Sequence, residues 1–165
     1  MNIENKCKKI KVVLTDVDGV LTDGGMYYTK DGDIMKKFHT RDGMGVTLLR
    51  KNKIPTVIVT KESTMMVKAW AKNMKVSNLY DGIEEKEKII EKICSEYKVK
   101  NEEVAYIGDD VNDMKLLAKV GVSFTPSDSI ENVKNICDYI CKTKSGQGVF
   151  REVADLILNS QNIKL

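Results

Sequence analysis

Apolar runs of only four or five residues recur along the chain at 11–15 (KVVLT), 56–60 (TVIVT), 104–108 (VAYIG) and 122–125 (VSFT), with longer stretches of helical spacing between them. Runs this short, this rich in Val and Ile and this lacking in polar alternation read as strands buried on both faces. Strands separated by helices pair in parallel, since each crossover returns the chain to the same end of the sheet. The expected fold class is therefore α/β, three layers with a mostly parallel central sheet. Weaker strands are expected at 78–80 and 139–141, and helices at 43–51, 64–74, 85–97, 112–120, 130–136 and 148–158. Asn101-Glu102-Glu103 reads as a single turn, and Asp128 with Glu131 three residues later is spaced as a capping box.

One segment interrupts the alternation. Residues 26–38 (MYYTKDGDIMKKF) hold two strand-like runs joined across Lys30-Asp31-Gly32-Asp33, the pattern of a β-hairpin. Ligands of open α/β sheets bind beyond the carboxyl ends of the strands, so a hairpin directly after the first strand is expected to be a flap beside the site. The 165 residues are 42% hydrophobic, enough for one buried core, and contain no repeat, low-complexity tract or linker. One domain spanning 1–165, with the hairpin inserted at about 26–38, is expected.

Charge and cysteine usage narrow the function classes. The 27 Lys and Arg against 24 Asp and Glu give a net +3, too balanced for a nucleic-acid or anionic-membrane footprint. No stretch approaches the roughly 20 apolar residues of a membrane span, and the start MNIENKCKKIK lacks the apolar stretch of a signal peptide. A cytoplasmic protein with a small-molecule partner is expected. Cys7, Cys94, Cys137 and Cys141 show neither a disulfide framework nor paired zinc spacing, and read as small apolar fillers.

The chemistry gathers at strand ends. Asp16 and Asp18 follow the first strand at once, and side chains two apart on an extended chain point the same way. Clustered carboxylates repel unless they share a cation or divide acid and base roles, and Gly19 lets the chain turn away from them. The third strand ends in a second acidic group, Gly108-Asp109-Asp110-Val111-Asn112-Asp113, which parallel topology brings to the same edge. Oxygen-rich sites of this kind suit Mg²⁺. An EF-hand would need its ligand loop between helices, and zinc would want more than the single His39, which reads as structural. Thr60 ends the second strand and Lys86 opens a helix near the same edge, so a hydroxyl and an ammonium are placed to serve a phosphate. Each of these features alone also fits a plain role: an exposed turn, a helix cap, a surface lysine.

In order and spacing they resemble the four motifs of the haloacid dehalogenase superfamily of phosphatases, at Asp16-Val17-Asp18-Gly19, Thr60, Lys86 and Gly108-Asp109-Asp110-Val111-Asn112-Asp113. The runs 18–24 (DGVLTDG), 41–45 (RDGMG) and 146–153 (GQGVFREV), with the hairpin, are similar to the subfamily acting on eight- and nine-carbon keto-sugar acid phosphates. The resemblance implies a Rossmann-like domain without a separate cap, and a homotetramer in which hairpins associate and neighbours help close each site. It implies Mg²⁺ held by the Asp16 carboxylate, the Asp18 backbone carbonyl and Asp109. By the same resemblance Asp16 is the nucleophile that becomes an aspartyl-phosphate, and Asp18 is the general acid and then base. Thr60 and Lys86 hold phosphoryl oxygens, Asp113 supports the metal or Lys86 from behind, and Asp110, Glu62, Arg41 and Lys61 are further supporting or substrate candidates.

The chain also departs from that pattern. Lys61 stands where the family usually has glycine, and Trp70 replaces a basic residue on the following helix. Glu62 occupies a position where octulosonate phosphatases commonly carry arginine, whereas sialic-acid-type phosphatases carry glutamate. The expected reaction is hydrolysis of octulosonate 8-phosphate, with a nonulosonate 9-phosphate (KDN or N-acylneuraminate) as alternative substrate, in lipopolysaccharide or sialic acid biosynthesis. A broad sugar-phosphate phosphatase and a non-catalytic assembly module stay open.

Overall fold

The computed structural model describes residues 2–163. Six parallel strands form the central sheet: β1 (Val12–Thr15), β4 (Thr56–Val59), β5 (Asn78–Tyr80), β6 (Val104–Ile107), β7 (Val122–Thr125) and β8 (Tyr139–Ile140), in the order β5-β4-β1-β6-β7-β8. The hairpin forms a separate antiparallel pair, β2 (Tyr27–Thr29) and β3 (Gly32–Met35), turning on Lys30-Asp31. All residues of β1, β4, β6 and β7 are buried, as their mostly apolar runs imply, and the polar Ser123 of β7 accepts from the Asp138 N–H at 3.0 Å.

Alternate residues of each strand feed two cores. Val13, Ile58, Ala105, Ile107 and Phe124 face a layer made of α1 (Ile3–Cys7), α2 (Thr40–Lys51), α3 (Met65–Met74) and α7 (Val149–Ser160). Val12, Leu14, Val57, Val59 and Tyr106 face α4 (Ile90–Tyr97), α5 (Met114–Leu117) and α6 (Glu131–Lys134). The amphipathic faces of α4 and α7 supply Ile90 and Ile93 to one core, Val153 and Ile157 to the other.

Several boundaries differ from the sequence expectation for identifiable reasons. Helix α2 begins three residues early because His39 caps it, its Nδ1 accepting from the Arg41 N–H at 3.2 Å. The helix expected over 85–97 is broken into a 3₁₀ turn at Lys86–Lys88 and then α4. The one over 112–120 shrinks to a 3₁₀ turn at Val111–Asp113 followed by the single turn of α5. In both, a side chain of the first turn is held in the site described below. Asp128 does not cap α6: its carboxylate accepts from the Ser145 N–H at 2.9 Å and the Ser145 hydroxyl at 3.0 Å, and Ile130 holds the cap position. Helix α1 was not expected from the sequence. It is capped by the Asn2 side chain, which accepts from Glu4.

Asp42 joins the two longest helices. It is fully buried in the first turn of α2, and its Oδ1 accepts from the Arg151 N–H at the start of α7, 3.0 Å away. Its Oδ2 has no partner. Burial pushes the Asp42 carboxyl up to about 7, against the opposing pull of the Arg151 and Phe150 amides. The unfolded chain titrates this group near 3.8, so between there and about 7 the folded chain holds a proton that the unfolded chain has lost. Stability from this group is therefore full at low pH and falls as pH rises through that window. Asp42→Asn is expected to gain stability over the parent by on the order of 2–4 kcal/mol between pH 4 and pH 8. Urea unfolding at the two pH values measures it, and an unchanged difference would refute the assignment.

Candidate active site

The strand order turns back at β1, with β4 and β5 on one side and β6 to β8 on the other, so the carboxyl end of β1 opens onto a topological switch point. Thr15 lies level with Ile58 of β4 and with Ile107 of β6. The residues just past the three tips, Asp16, Thr60 and Gly108-Asp109, therefore meet at one edge. Asp16, Thr60 and Asp109 line a cavity of about 180 Å³ with Asp18 and Lys86, and Lys61, Glu62, Asp110 and Asn112 complete its wall. A neighbouring cavity of about 340 Å³ shares Asp18 and Glu62 and reaches the hairpin at Met26 and Tyr28. Of the sequence-selected residues, Arg41 alone stands elsewhere, with Lys142 and Arg151 in a cavity of about 670 Å³ that holds none of the clustered carboxylates.

Lys86 organises the charges. Its side chain is 0% exposed, and Nζ lies 2.8 Å from Asp16 Oδ1 and 2.7 Å from Asp113 Oδ1. Burial alone would lower the ammonium's pKa, but the Asp16 and Asp113 carboxylates outweigh it and raise it. Asp113 has both oxygens occupied: Oδ1 also accepts from the Tyr106 hydroxyl, and Oδ2 from the Asp109 N–H at 2.9 Å. The 3₁₀ turn at Val111–Asp113 is thus fixed by reciprocal bonds between Asp110 and Asp113 and by the buried lysine.

Asp16 and Asp109 are in the opposite condition. Burial, and then the charge of Asp113, raises Asp16 to about 7; burial, and then the charges of Asp16 and Asp113, raises Asp109 to about 8. Asp109 Oδ1 is buried with no hydrogen-bond partner. Carboxylate oxygens of Asp16, Asp109 and Asp113 all lie within 4.8 Å of one another, a span that one cation can bridge. Since Asp113 is already saturated by donors, the oxygens left for a cation are those of Asp16 and Asp109. The fit to a hard divalent ion such as Mg²⁺ is good: an all-oxygen donor set, an orphaned buried acceptor and surplus negative charge. Gly19 makes the approach possible, for a Cβ there would fall 2.0 Å from Asp109 Oδ2, and its φ of +87° is a left-handed conformation.

Lys36, not singled out by the sequence, also enters the site. It leaves the hairpin and places Nζ 2.8 Å from Asp18 Oδ1 and 3.0 Å from Asp33 Oδ2, with its side chain only 3% exposed. Among many lysines, its one sequence signal is its place on the hairpin leg returning to the first strand. Two residues on, Phe38 stacks on Trp70 of α3, centroids 4.9 Å apart and planes 13° from parallel. Trp70 thus docks the hairpin base against the helix layer, which explains an aromatic residue there.

Comparison with known proteins agrees with this geometry. Residues 51–153 match the haloacid dehalogenase-like hydrolase family model. The 3-deoxy-D-manno-octulosonate 8-phosphate phosphatase KdsC of Haemophilus influenzae is 36% identical over 159 residues, 96% of this chain and 88% of the relative. The KdsC of Escherichia coli K12 is 32% identical over 156 residues, 94% and 83%. Among solved structures, the Moraxella catarrhalis octulosonate 8-phosphate phosphatase in complex with magnesium ion, phosphate ion and KDO superposes with a TM-score of 0.93 at 34% identity, covering 97% of this chain and 92% of that one. The cobalt-bound Haemophilus influenzae enzyme gives 0.93 at 36% identity, covering 95% and 92%. With relatives of this identity aligned over nearly their whole length, the chain belongs to the haloacid dehalogenase-like hydrolases.

Proposed function

We propose that the protein is a Mg²⁺-dependent phosphatase that hydrolyses 3-deoxy-D-manno-octulosonate 8-phosphate through an aspartyl-phosphate on Asp16. The observation that carries the reading is the convergence of Asp16, Asp109, Thr60 and Lys86 on one small cavity at the sheet edge, in a chain whose relatives act on that phosphate. Asp16, the Asp18 backbone carbonyl and Asp109 would hold the cation. When bound, Mg²⁺ supplies the positive charge that lets an anionic carboxylate and a dianionic phosphate approach.

The chain's own residues do the rest. Lys86 draws one Asp16 oxygen aside and fixes the carboxylate plane at the β1 tip, so Asp16 is presented in one orientation. An Asp16 oxygen bonds to phosphorus as the bond from phosphorus to the sugar oxygen breaks, and Asp18 gives its proton to that departing oxygen. A water then bonds to phosphorus and passes a proton to Asp18 as the acyl-phosphate bond breaks, releasing inorganic phosphate and restoring both carboxyl groups. The Thr60 hydroxyl and the Lys86 ammonium hold phosphoryl oxygens, and Asp113 keeps Lys86 charged and in place.

The larger cavity beside Asp18 takes the sugar acid. Glu62 in its wall favours a second substrate, a nonulosonate 9-phosphate, because that subfamily resembles this chain at the position. Two cores on the faces of one sheet support a single domain over 1–165, and exposed Met26 (66%), Tyr28 (69%) and Ile34 (63%) on the hairpin support association into a homotetramer. Among the described residues no helix is long and apolar enough to cross a membrane. From the balanced net charge of +3 we propose a cytoplasmic enzyme without nucleic-acid or membrane partners.

Release of inorganic phosphate from the two sugar-acid phosphates, with and without Mg²⁺, tests the reading. The expected result is Mg²⁺-dependent turnover with the octulosonate ester preferred; release from neither ester overturns it. Asp16→Asn, nearly identical in shape, should keep the fold and lower kcat by at least about 10⁴-fold. Cation affinity should also depend on pH. Because Asp16 and Asp109 hold protons up to about 7 and 8, a cation must displace them, and binding strengthens as pH rises from 6 to 8.5. Calorimetric titration with Mg²⁺ measures this, and Asp109→Ala should abolish the pH-dependent heat.

A further inference from the structure

We infer that Lys36 is a positioning residue for Asp18, tying the carboxylate that exchanges the proton to the hairpin; the inference rests on the role given to Asp18 above. The ammonium is enclosed and touches two carboxylates, Asp18 Oδ1 at 2.8 Å and Asp33 Oδ2 at 3.0 Å. A second donor reaches the same Asp18 oxygen. Thr22 Oγ1 lies 3.0 Å from Oδ1 and itself accepts from the Gly24 N–H at 3.3 Å; its alternative acceptor, the Val17 carbonyl, is 3.5 Å away. The single hydroxyl hydrogen therefore goes to Asp18. Two donors on one oxygen fix the plane of the carboxylate, and an ammonium has no lone pair to offer a proton on that oxygen. Oδ2, which has no partner, is left to exchange the proton with the leaving group and then with water.

The arrangement repeats that of the nucleophile. Lys86 is shared between Asp16 and Asp113, and Lys36 between Asp18 and Asp33. Each carboxylate of the reaction thus faces a lysine that is also ion-paired to a second aspartate, through a hydrogen bond at Lys86–Asp113 and by charge alone at Lys36–Asp33. The anchors differ in origin, because Lys86 belongs to the turn after β5, whereas Lys36 is carried by the hairpin and steadied by the Phe38–Trp70 stack. Hairpin placement and Asp18 orientation are consequently one constraint.

Lys36→Met tests this against two esters, a sugar-acid phosphate with an alkoxide leaving group and p-nitrophenyl phosphate, whose phenolate departs without a proton. The expected result is a kcat loss of about 100-fold on the alkyl ester with KM within about threefold, while the first-turnover burst of nitrophenolate falls less than about threefold. Lys36→Arg should recover much of the loss. Emission of the single tryptophan, Trp70, reports whether the hairpin base stays docked, and Lys36→Gln, which keeps a donor, serves if the Met variant misfolds. Equal losses on both esters, a rise in KM alone, or unchanged kinetics would each overturn the inference. Asp18→Asn separates the underlying reading: if it spares the alkyl ester, the acid role of Asp18 fails, whereas if it shows the leaving-group dependence and Lys36→Met does not, only the positioning role fails.

Discussion

A fully buried ammonium facing two carboxylates, Lys86 between Asp16 and Asp113, is the contact on which the edge of this sheet depends. Two carboxylates within 4.8 Å of each other repel by about 3.5 kcal/mol or more at an effective dielectric near 20, and three are gathered here. One ammonium compensates one of them. When all three are ionised, two negative charges remain, and Asp16 and Asp109, the groups with oxygens to spare, carry the burden as raised pKa values. A divalent cation matches that remainder in charge and in ligand type. Removing the lysine would leave Asp113 as an uncompensated buried charge, which explains why so costly a residue is kept in a dry position.

The hairpin extends the same logic outward. Between β1 and α2, two strands of three and four residues carry Met26 and Tyr28 to the wall of the cavity that also holds Asp18 and Glu62. So small a sheet is not stable alone. Its base is fastened by the Phe38–Trp70 stack and by Lys36, while its tip leaves apolar side chains uncovered. The fastened end lies beside Asp18, and the far end leaves Tyr28 and Ile34 exposed.

Much of the site was legible in sequence because parallel topology does the geometric work. A buried strand ending in an acidic pair must present it at the carboxyl edge, and the level register of Thr15, Ile58 and Ile107 brings Asp16, Thr60 and Asp109 together with no other information. Side chains whose positions depend on long-range pairing were less legible. Lys36 is one lysine among many until the hairpin folds back, and Asp128 could cap a helix locally but instead bonds Ser145, 17 residues away. Arg41, a candidate from its run of neighbours, lines the cavity shared with Lys142 and Arg151 at the α2–α7 side. The shortened α5 and split α4 have a similar origin, since ties from Asp113 and Lys86 into the site override helical periodicity in the first turn.

The acidic edge also sets a conflict between stability and function. Asp16 and Asp109 titrate near 3.8 in the unfolded chain and at about 7 and 8 in the folded one, so folding takes up protons between those limits and the stability these groups give declines as pH rises through them. Near neutral pH the cation-free fold therefore carries a penalty at the two residues with oxygens free for a cation. A bound cation removes the penalty by replacing the protons, and adds its own binding free energy to the fold. Gly19 and Gly108 show how closely the packing enforces this: a Cβ would fall 2.0 Å from Asp109 Oδ2 at the first and 2.6 Å from Asp113 Cβ at the second. The carboxylates cannot relax apart without the β1 and β6 tips moving, and those tips are held in register by the sheet itself. Repulsion is thus stored by the rigid part of the molecule and released by the ion, which couples cation affinity to the integrity of the central strands.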